Sequence, residues 1–159
     1  MGYKSVILVV NDVLKSRKLY EEVFGFVVNS DFGEFNVGFE NGIALYKKTL
    51  FNELTENIEI KDQPNSFVLY CEYDNIEEID HKAKKQMLKY VHQIKEQPWA
   101  QRVFRVYDYD NHMFEIAEEM NVVFKRLFKN NKTIEEAATI TGYTIEAVNT
   151  IRLKLEKES

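Results

Sequence analysis

Two stretches of this chain carry the same order of strand and helix patterns, at a spacing of roughly 60 residues. In each stretch an apolar run ends in two turn residues, Asn11-Asp12 in the first and Asp74-Asn75 in the second, followed by an amphipathic helix and three short strands. The predicted strands are residues 5–10, 26–29, 34–40 and 43–47 in the first stretch and 66–73, 91–95, 102–107 and 112–117 in the second, with helices at 14–24 and 76–89. This doubled βαβββ order predicts an α+β fold built from two equivalent halves.

The repeat also predicts how the chain divides. We expect one domain at residues 1–119, with repeats at about 3–50 and 66–119 and a polar linker at 51–65. Residues 120–159 are predicted to form a separate helical extension. In the first repeat, Asp12 or Ser16 is the expected helix N-cap, and Gly25 follows the helix where a left-handed residue is common.

The most distinctive segment of the second repeat is residues 97–119, which contains the single Trp of the chain. Its two strands are joined by a tight turn at residues 108–111. Asn111 tolerates a left-handed backbone there, and Asp108 can accept hydrogen bonds from amides two residues further on. Glu115 stands between Phe114 and Ile116, at a position that should be sheltered. A sheltered carboxylate needs partners or has a function.

Charge and cysteine content limit the classes of function. The formal net charge of −5 disfavours nucleic acid as the main partner. The single cysteine, Cys71, excludes an internal disulfide framework and is typical of a reducing compartment. The sequence shows no signal-peptide pattern and no apolar stretch of the roughly 18 residues that a membrane helix needs. We therefore expect a cytoplasmic protein that does not enter membranes.

Several segments together resemble the vicinal oxygen chelate superfamily, which includes glyoxalase I, bleomycin resistance proteins and extradiol dioxygenases. These segments are the two βαβββ repeats, ND-V-x-KS-x-x-x-Y-x-x-x-x-GF at residues 11–26, the strand Gly42-Ile-Ala-Leu-Tyr46, and Gln97-Pro-Trp followed by Asp108-x-Asp-x-His-x-x-Glu-Ile116. The resemblance implies that the repeats form a curved mixed sheet, shaped as a cup, and that the protein is a homodimer. The chain departs from the family at Ala100, Tyr109 and Asn111, where Gly, Pro and Gly are frequent.

The resemblance also specifies where a metal would be held. Members that use a metal place one ligand, usually His or Glu, on the first and last strand of each repeat. The matching positions in this chain are Ser5, Leu45, Phe67 or Val68, and Glu115. Only Glu115 is a strong ligand, and a lone carboxylate does not make a divalent-metal site. We therefore predict a cup without the family metal and without another cofactor.

The candidate site residues are one carboxylate, one arginine and a group of aromatics. Glu115 is the candidate for catalysis as a general base, and equally for accepting a ligand hydrogen bond or for pairing with Arg102 or Arg105. The aromatics can line an apolar pocket, although Phe104 is equally a candidate for the core. The predicted ligand-binding residues are Phe32, Phe35, Tyr46, Trp99, Arg102, Phe104 and Glu115.

The histidines and the cysteine are assigned structural roles. His81 lies on a charged predicted helix and is expected at the surface. His92 begins a strand and His112 closes the tight turn, and each is a replacement metal ligand only if further ligands gather around it. Cys71 has no adjacent His, so we expect a packed thiol and not a nucleophile.

The last forty residues resemble a helix-turn-helix unit. Thr133 and Glu136 form a capping box, and Gly142 marks the turn before the last predicted helix. Residues 119–159 contain seven Lys or Arg and six Glu, and Asn149 is the one plausible base reader on that helix. We therefore favour a packing or dimerisation role for this extension over DNA binding.

The resulting prediction is a protein that binds a small organic molecule in an aromatic-lined cup, without the family metal. One alternative is a metal-dependent lyase or dioxygenase of the same superfamily that uses replacement ligands. The other is a ligand-responsive regulator that binds DNA through its C-terminal helices. The identity of the ligand does not follow from the fold, because one fold hosts many functions.

Overall fold

The computed structural model describes residues 2, 4–61 and 65–157 of the chain. This part of the chain forms two four-stranded sheets with helices, which confirms the predicted α+β class. The strands are β1 (Val6–Val10), β2 (Val28–Asp31), β3 (Asn36–Phe39), β4 (Ile43–Lys47), β5 (Leu69–Tyr73), β6 (Lys89–Glu96), β7 (Arg102–Tyr107) and β8 (Met113–Glu118). The helices are α1 (Val13–Glu22), α2 (Lys48–Leu54), α3 (Ile76–Lys85), α4 (Met120–Lys129), α5 (Ile134–Thr141) and α6 (Ile145–Lys157). None of the helices in the described ranges has the length and apolarity that a membrane crossing requires.

The chain packs as two compact units. The first unit contains the residues up to Leu69 together with His81–Lys89 and Tyr107–Phe114. The second contains Tyr70–Asp80, Tyr90–Val106 and the residues from Glu115 onward. The tight turn after β7 therefore belongs to the same unit as the first repeat.

The sheet of the first unit has the strand order β1-β4-β3-β2, with β1 and β4 parallel. Leu8 pairs with Leu45, and both side chains are buried on the face that carries Phe39, on whose ring Tyr20 of α1 stacks. Side chains alternate along a strand, so Ile7 and Tyr46 lie on the opposite face. One face of this sheet thus builds the core of the unit, and the other is left more open.

The predicted residues at the two ends of α1 are found in the structure. The Asp12 carboxylate accepts a hydrogen bond from the Lys15 amide at 3.0 Å, so Asp12 is the N-cap. Ser16, the alternative cap, is a buried residue inside the helix. Gly25 has a φ of +68°, the left-handed conformation that a glycine adopts without a steric penalty.

The second sheet has the strand order β5-β8-β7-β6. Phe104 of β7 is fully buried, and its ring stacks on Tyr90 of β6 with the centroids 5.7 Å apart. Arg102 lies on the same face of β7 and pairs with Glu77 of α3. Arg105 alternates with Phe104 and therefore lies on the other face. The α3 side of this sheet is the interior side of the second unit.

The C-terminal helices pack around an apolar cluster of their own. Its buried members are Ala100, Val123, Phe124, Leu127, Ala137, Ala138, Val148 and Leu155. The predicted capping box at the start of α5 is confirmed, because Thr133 and Glu136 each bond the other's backbone amide. Gly142 ends α5 with a φ of +75°. The three helices are therefore a packed part of the second unit.

Several predicted boundaries differ from those of the structure, most of them by a few residues. Residues 51–65 were predicted as a polar linker between the repeats, and α2 extends into this segment as far as Leu54. The helix predicted at residues 76–89 ends at Lys85, because Met87 has a φ of +53° that no helix accommodates. β6 begins immediately afterwards, at Lys89. The amphipathic pattern continues through the true helix end, which is why the pattern alone overextends it.

Candidate functional site

The first unit contains a cavity of about 320 Å³ along β1, which we call the β1 cavity. Its apolar wall consists of Ile7, Leu8, Val9, Phe51, Ile58, Ile60 and Phe67. The remaining lining residues carry polar groups and are Asn11, Lys48, Glu59, Lys61, Tyr109, Asp110, Asn111 and His112. Cavities of this size that combine an apolar wall with a few polar groups are typical of small-molecule sites.

The tight turn at the edge of this cavity is built around the Asp108 carboxylate, whose side chain is completely buried. It accepts hydrogen bonds from the Tyr20 hydroxyl at 2.6 Å and from the backbone amides of Asp110 and His112 at 2.9 and 2.8 Å. It also contacts Nδ1 of His112 at 2.9 Å. A buried carboxylate needs such donors, and these hold the turn in one conformation.

A second carboxylate of the turn attaches it to the end of β1. Asp110 accepts hydrogen bonds from the backbone and side-chain amides of Asn11 at 2.9 and 2.6 Å, and from the Ser16 hydroxyl at 3.3 Å. Asn111 has a φ of +64°, which confirms its predicted left-handed conformation. The turn and the strand-to-helix junction of the first repeat thus form one hydrogen-bonded edge of the β1 cavity.

His112 is held between this network and the cavity. The residue is 7% exposed, and its ring lies 6.3 Å from that of Phe67, centroid to centroid. A carboxylate only accepts hydrogen bonds, so Nδ1 carries the proton that Asp108 accepts. Nε2 is then the ring nitrogen left for other partners. His112 has a structural role in the turn through its contact with Asp108, as expected. It also lies in the wall of the β1 cavity, where it can contact a ligand.

The predicted ligand residues of the first repeat lie elsewhere in the unit. Phe32 and Phe35, near the β2–β3 turn, are 67% and 51% exposed. Tyr46 lies on the open face of the sheet, in a depression of about 340 Å³ that Ser5 and Ala44 also line. None of the three lines the β1 cavity. These residues were chosen because they are aromatic, and aromatic character in the sequence does not indicate where a side chain lies in the fold.

Arg102 and Phe104, predicted to contact a ligand in the cup, lie on the face of the second sheet that α3 covers. Both lie on the α3 side, where Phe104 is core. The Arg102 guanidinium is bound by Glu77 and by Glu118, the latter at 2.7 Å. The core position of Phe104 is one of the two alternatives that the sequence left open.

Glu115 pairs with Arg105 and not with Arg102, which decides between the two predicted partners. Its side chain is 15% exposed, as expected for a sheltered carboxylate. Arg105 also contacts Nε2 of His92 at 2.8 Å, and Nδ1 of His92 lies 2.8 Å from the Gln93 carbonyl oxygen. Glu115 is therefore one member of a polar row on the second sheet.

Trp99 is 40% exposed, and its indole N–H donates to the Gln101 side chain at 2.8 Å. The Gln101 amide donates in turn to the Tyr70 hydroxyl and to the Glu118 carbonyl oxygen.

Cys71 is half-buried, and burial raises the pKa of its thiol to about 11. A thiol with a raised pKa is a poor nucleophile, which supports its predicted packing role.

The four family metal positions do not form a ligand set. Leu45 is apolar and fully buried on the Leu8 face of the first sheet, whereas Ser5 lines the depression on the open face. The alignment that placed Leu45 at a ligand position facing the cup is therefore wrong, because the register turns this side chain into the core. Glu115 already neutralises Arg105. Within the described ranges, no three His, Cys, Asp or Glu residues gather as a metal site would require.

Glu118 is a buried residue that the sequence analysis did not select. Its side chain is completely buried and pairs with Arg102 at 2.7 Å and with Arg126 of α4 at 2.8 Å. Burial alone would raise the pKa of Glu118, but the bonds from the two guanidinium groups outweigh it and lower the pKa. Arg126 also binds Glu96 and the Ala100 carbonyl oxygen. A Glu at the end of a strand, three residues after another Glu, carries no distinguishing signal.

The architecture is similar to that of known proteins. The model of the glyoxalase-like domain family matches residues 3–121. No protein of curated function matches the chain by sequence. A protein of unknown function from Agrobacterium tumefaciens str. C58 is 28% identical, with a TM-score of 0.63 over 75% of this chain and 94% of that one.

Two further solved structures share the fold at lower identity. A glyoxalase/bleomycin resistance protein/dioxygenase family enzyme from Burkholderia phytofirmans PsJN is 18% identical, with a TM-score of 0.64 over 74% of this chain and 98% of that one. A fosfomycin resistance protein from Mesorhizobium loti is also 18% identical, with a TM-score of 0.56 over 74% of this chain and 91% of that one. At these identities the likeness concerns the fold.

Proposed function

The chain belongs to the glyoxalase-like domain family, and from this premise we propose that it binds a small organic molecule in the β1 cavity, without a metal at the family positions. The observation that carries this proposal is the cavity itself, because about 320 Å³ lies within the range of small-molecule sites. Its apolar wall favours a ligand with a hydrocarbon or aromatic body.

The polar lining restricts the ligand further. Lys48 and Lys61 offer ammonium groups, and Asn11 and His112 offer fixed hydrogen-bonding groups. The Asp110 carboxylate is held by Asn11 and Ser16, and Glu59 adds a second carboxylate to the lining. This mixture of cationic, anionic and neutral groups favours an amphipathic molecule with one polar end.

Ile7 provides the means to test the site. It lines the cavity and is 46% exposed, so replacement by Trp fills space without disturbing the core. Ile145, 52% exposed at the start of α6, is the matched control outside the cavity. In a thermal-shift screen of amphipathic acids, alcohols and phenols, a ligand at 100 times its Kd stabilises the fold by about 2.7 kcal/mol, roughly 5–10 °C in Tm.

We expect Ile7→Trp to abolish the shift and Ile145→Trp to retain it. A shift of equal size in all three proteins would place the ligand outside the β1 cavity. A complete screen without any stabilising compound would count against small-molecule binding itself.

Two sequence-based expectations are carried into the proposal on family grounds. The first is a homodimer, which light scattering on the purified full-length chain measures directly. The second is a ligand contact by Glu115, which does not line the β1 cavity, so such a contact would be separate from the site proposed above. Glu115→Gln should leave the shift of a ligand of the β1 cavity unchanged, and a reduced shift would support a ligand at Glu115 instead.

A further inference from the structure

We propose that His112 is a general base that accepts a proton from the molecule bound in the β1 cavity, and that Asp108 is its positioning residue. The inference rests on the proposed function, since it requires a ligand in that cavity. It adds a chemical step and names the residues that perform it. It also predicts the class of molecule, a weak carbon acid small enough for the cavity.

The orientation of the imidazole carries the argument. Asp108 accepts the proton on Nδ1 of His112 at 2.9 Å, which leaves the lone pair on Nε2. His112 lies in the wall of the β1 cavity, and the ring edge that bears Nε2 is the one not engaged by Asp108. A ring fixed in this tautomer needs no rearrangement before it accepts a proton.

The surroundings of Asp108 fit a group that positions the imidazole. Its carboxylate is completely buried and accepts from the Tyr20 hydroxyl and two backbone amides in addition to His112. These donors keep the carboxylate in place close to the ring. A carboxylate held in this way keeps the imidazole in one orientation while Nε2 takes a proton.

Other titratable groups line the same cavity as His112. Asp110 is held by Asn11 and Ser16. The charged or titratable side chains that share the cavity wall are Lys48, Glu59, Lys61, Tyr109 and Asp110. The two lysines supply positive charge for a substrate that becomes anionic when it loses a proton.

The step balances without a cofactor. The substrate C–H bond breaks, its proton forms the Nε2–H bond, and the electron pair moves to an electronegative atom of the substrate. The base elimination of 5-nitrobenzisoxazole is a suitable probe, because loss of its ring C–H proton makes a nitrile while the N–O bond breaks. The oxygen leaves as a coloured phenolate, and the imidazolium then returns its proton to water.

The experiment measures kcat and KM for this probe with the full-length protein and with His112→Gln. His81→Gln is the matched control, because His81 is exposed on α3 and lines no part of the cavity. We expect His112→Gln to lose about a hundredfold in kcat with KM within threefold, and His81→Gln to match the unchanged protein. A loss below tenfold in kcat, or no rate above buffer with the probe bound, overturns the inference.

The pH profile separates a base from a packing residue. With His112 as the base, kcat rises with pH while the imidazolium loses its proton and then levels off. Reaction by hydroxide alone continues to rise tenfold per pH unit, and that result overturns the inference. Asp108→Asn, checked for folding by circular dichroism, should lower kcat more than it raises KM, because an amide does not fix the same tautomer.

A measurement without ligand keeps the inference testable if His112→Gln does not fold or the probe does not bind. Nitrogen-detected NMR of the three histidines of the unchanged protein reports which ring nitrogen carries the proton. Neutral His112 protonated on Nδ1 supports the inference, and protonation on Nε2 overturns it. Ile7→Trp tests the binding site, and His112→Gln tests the general base. If Ile7→Trp loses probe binding while His112→Gln retains it, the proposed function and the role of His112 are tested independently.

Discussion

Two carboxylates, Asp108 and Glu118, have completely buried side chains and organise their surroundings. Asp108 binds a hydroxyl, an imidazole and two amides, whereas Glu118 binds two guanidinium groups. A buried anion is tolerated because these donors replace the water it loses. Changes at these single residues are therefore expected to cost more than changes at exposed ion pairs.

Glu118→Gln is predicted to destabilise the protein strongly. The change leaves the Arg102 and Arg126 guanidinium groups beside a neutral amide, and removing one partner of a buried ion pair costs about 3–5 kcal/mol. Glu96→Gln is the control, because Glu96 pairs with Arg126 but is 55% exposed, and an exposed pair contributes about 1 kcal/mol or less. Urea unfolding measures both, and equal costs would contradict the buried-pair argument.

The same residue predicts a pH dependence. The pKa of Glu118 in the folded protein is lowered below its ordinary value of 4.5. A lowered carboxyl pKa contributes stability that is present above the unfolded-state pKa and is lost as pH falls through the folded-state pKa. The stability difference between the unchanged protein and Glu118→Gln should therefore be constant near neutrality and narrow below about pH 4.5. Unfolding curves at several pH values check this, and a difference that stays constant into acid would contradict it.

Among the elements, the C-terminal helices depend on both local and distant bonds. α4 is attached through Arg126, which binds Glu118 and the Ala100 carbonyl oxygen. α5 depends instead on the capping box of Thr133 and Glu136, which are neighbours in sequence. The first kind of bond ties the extension to the second sheet, and the second kind shapes the extension itself.

Thr133→Ala is predicted to destabilise by about 1 kcal/mol, roughly 2–4 °C in Tm, because it removes a hydrogen bond that satisfies a free amide of α5. Thr150→Ala is the matched control, since the Thr150 hydroxyl only bonds a carbonyl within α6. That change should stay within about 0.5 kcal/mol. Calorimetry measures both, and a larger effect at Thr150 would argue against the cap as the cause.

At the scale of the whole molecule, the family fold is kept while the family's metal positions hold Ser5, Leu45, Phe67 or Val68, and Glu115. Protein purified without chelator is therefore expected to contain well below one equivalent of divalent metal per chain. Elemental analysis before and after anaerobic addition of Zn²⁺, Ni²⁺, Mn²⁺ and Fe²⁺ tests this. Near-stoichiometric metal would instead favour the alternative of a metal-dependent lyase or dioxygenase.

The alternative of a ligand-responsive regulator that binds DNA also concerns the whole molecule. The C-terminal segment has nearly balanced charge, and Glu146 stands in the first turn of α6, where a DNA-reading helix would meet phosphates. The packed, Arg126-bound arrangement of α4 supports the packing role that the sequence favoured. Salt-dependent binding to DNA upstream of the gene would reverse this preference.

Much of the fold was predictable from local pattern. β4 and β7 have the predicted bounds, because alternation of side chains and adjacent turn residues are recognised within a few positions of the sequence. The N-cap at Asp12 and the left-handed Asn111 follow from the same short-range chemistry. Helix ends were less predictable. At the end of α3 the amphipathic pattern of the sequence continues, although the chain turns at Met87.

The sequence by itself therefore determined the doubled βαβββ order, the caps and the turn, which depend on neighbouring residues. The tertiary structure decided which face each strand buries, as Leu45 and Arg102 show, because alternation fixes two faces but not which one a helix covers. It also decided the site. Asp110 meets Asn11 across 99 residues and Asp108 meets Tyr20 across 88, and contacts at such separations leave no periodic trace in the chain.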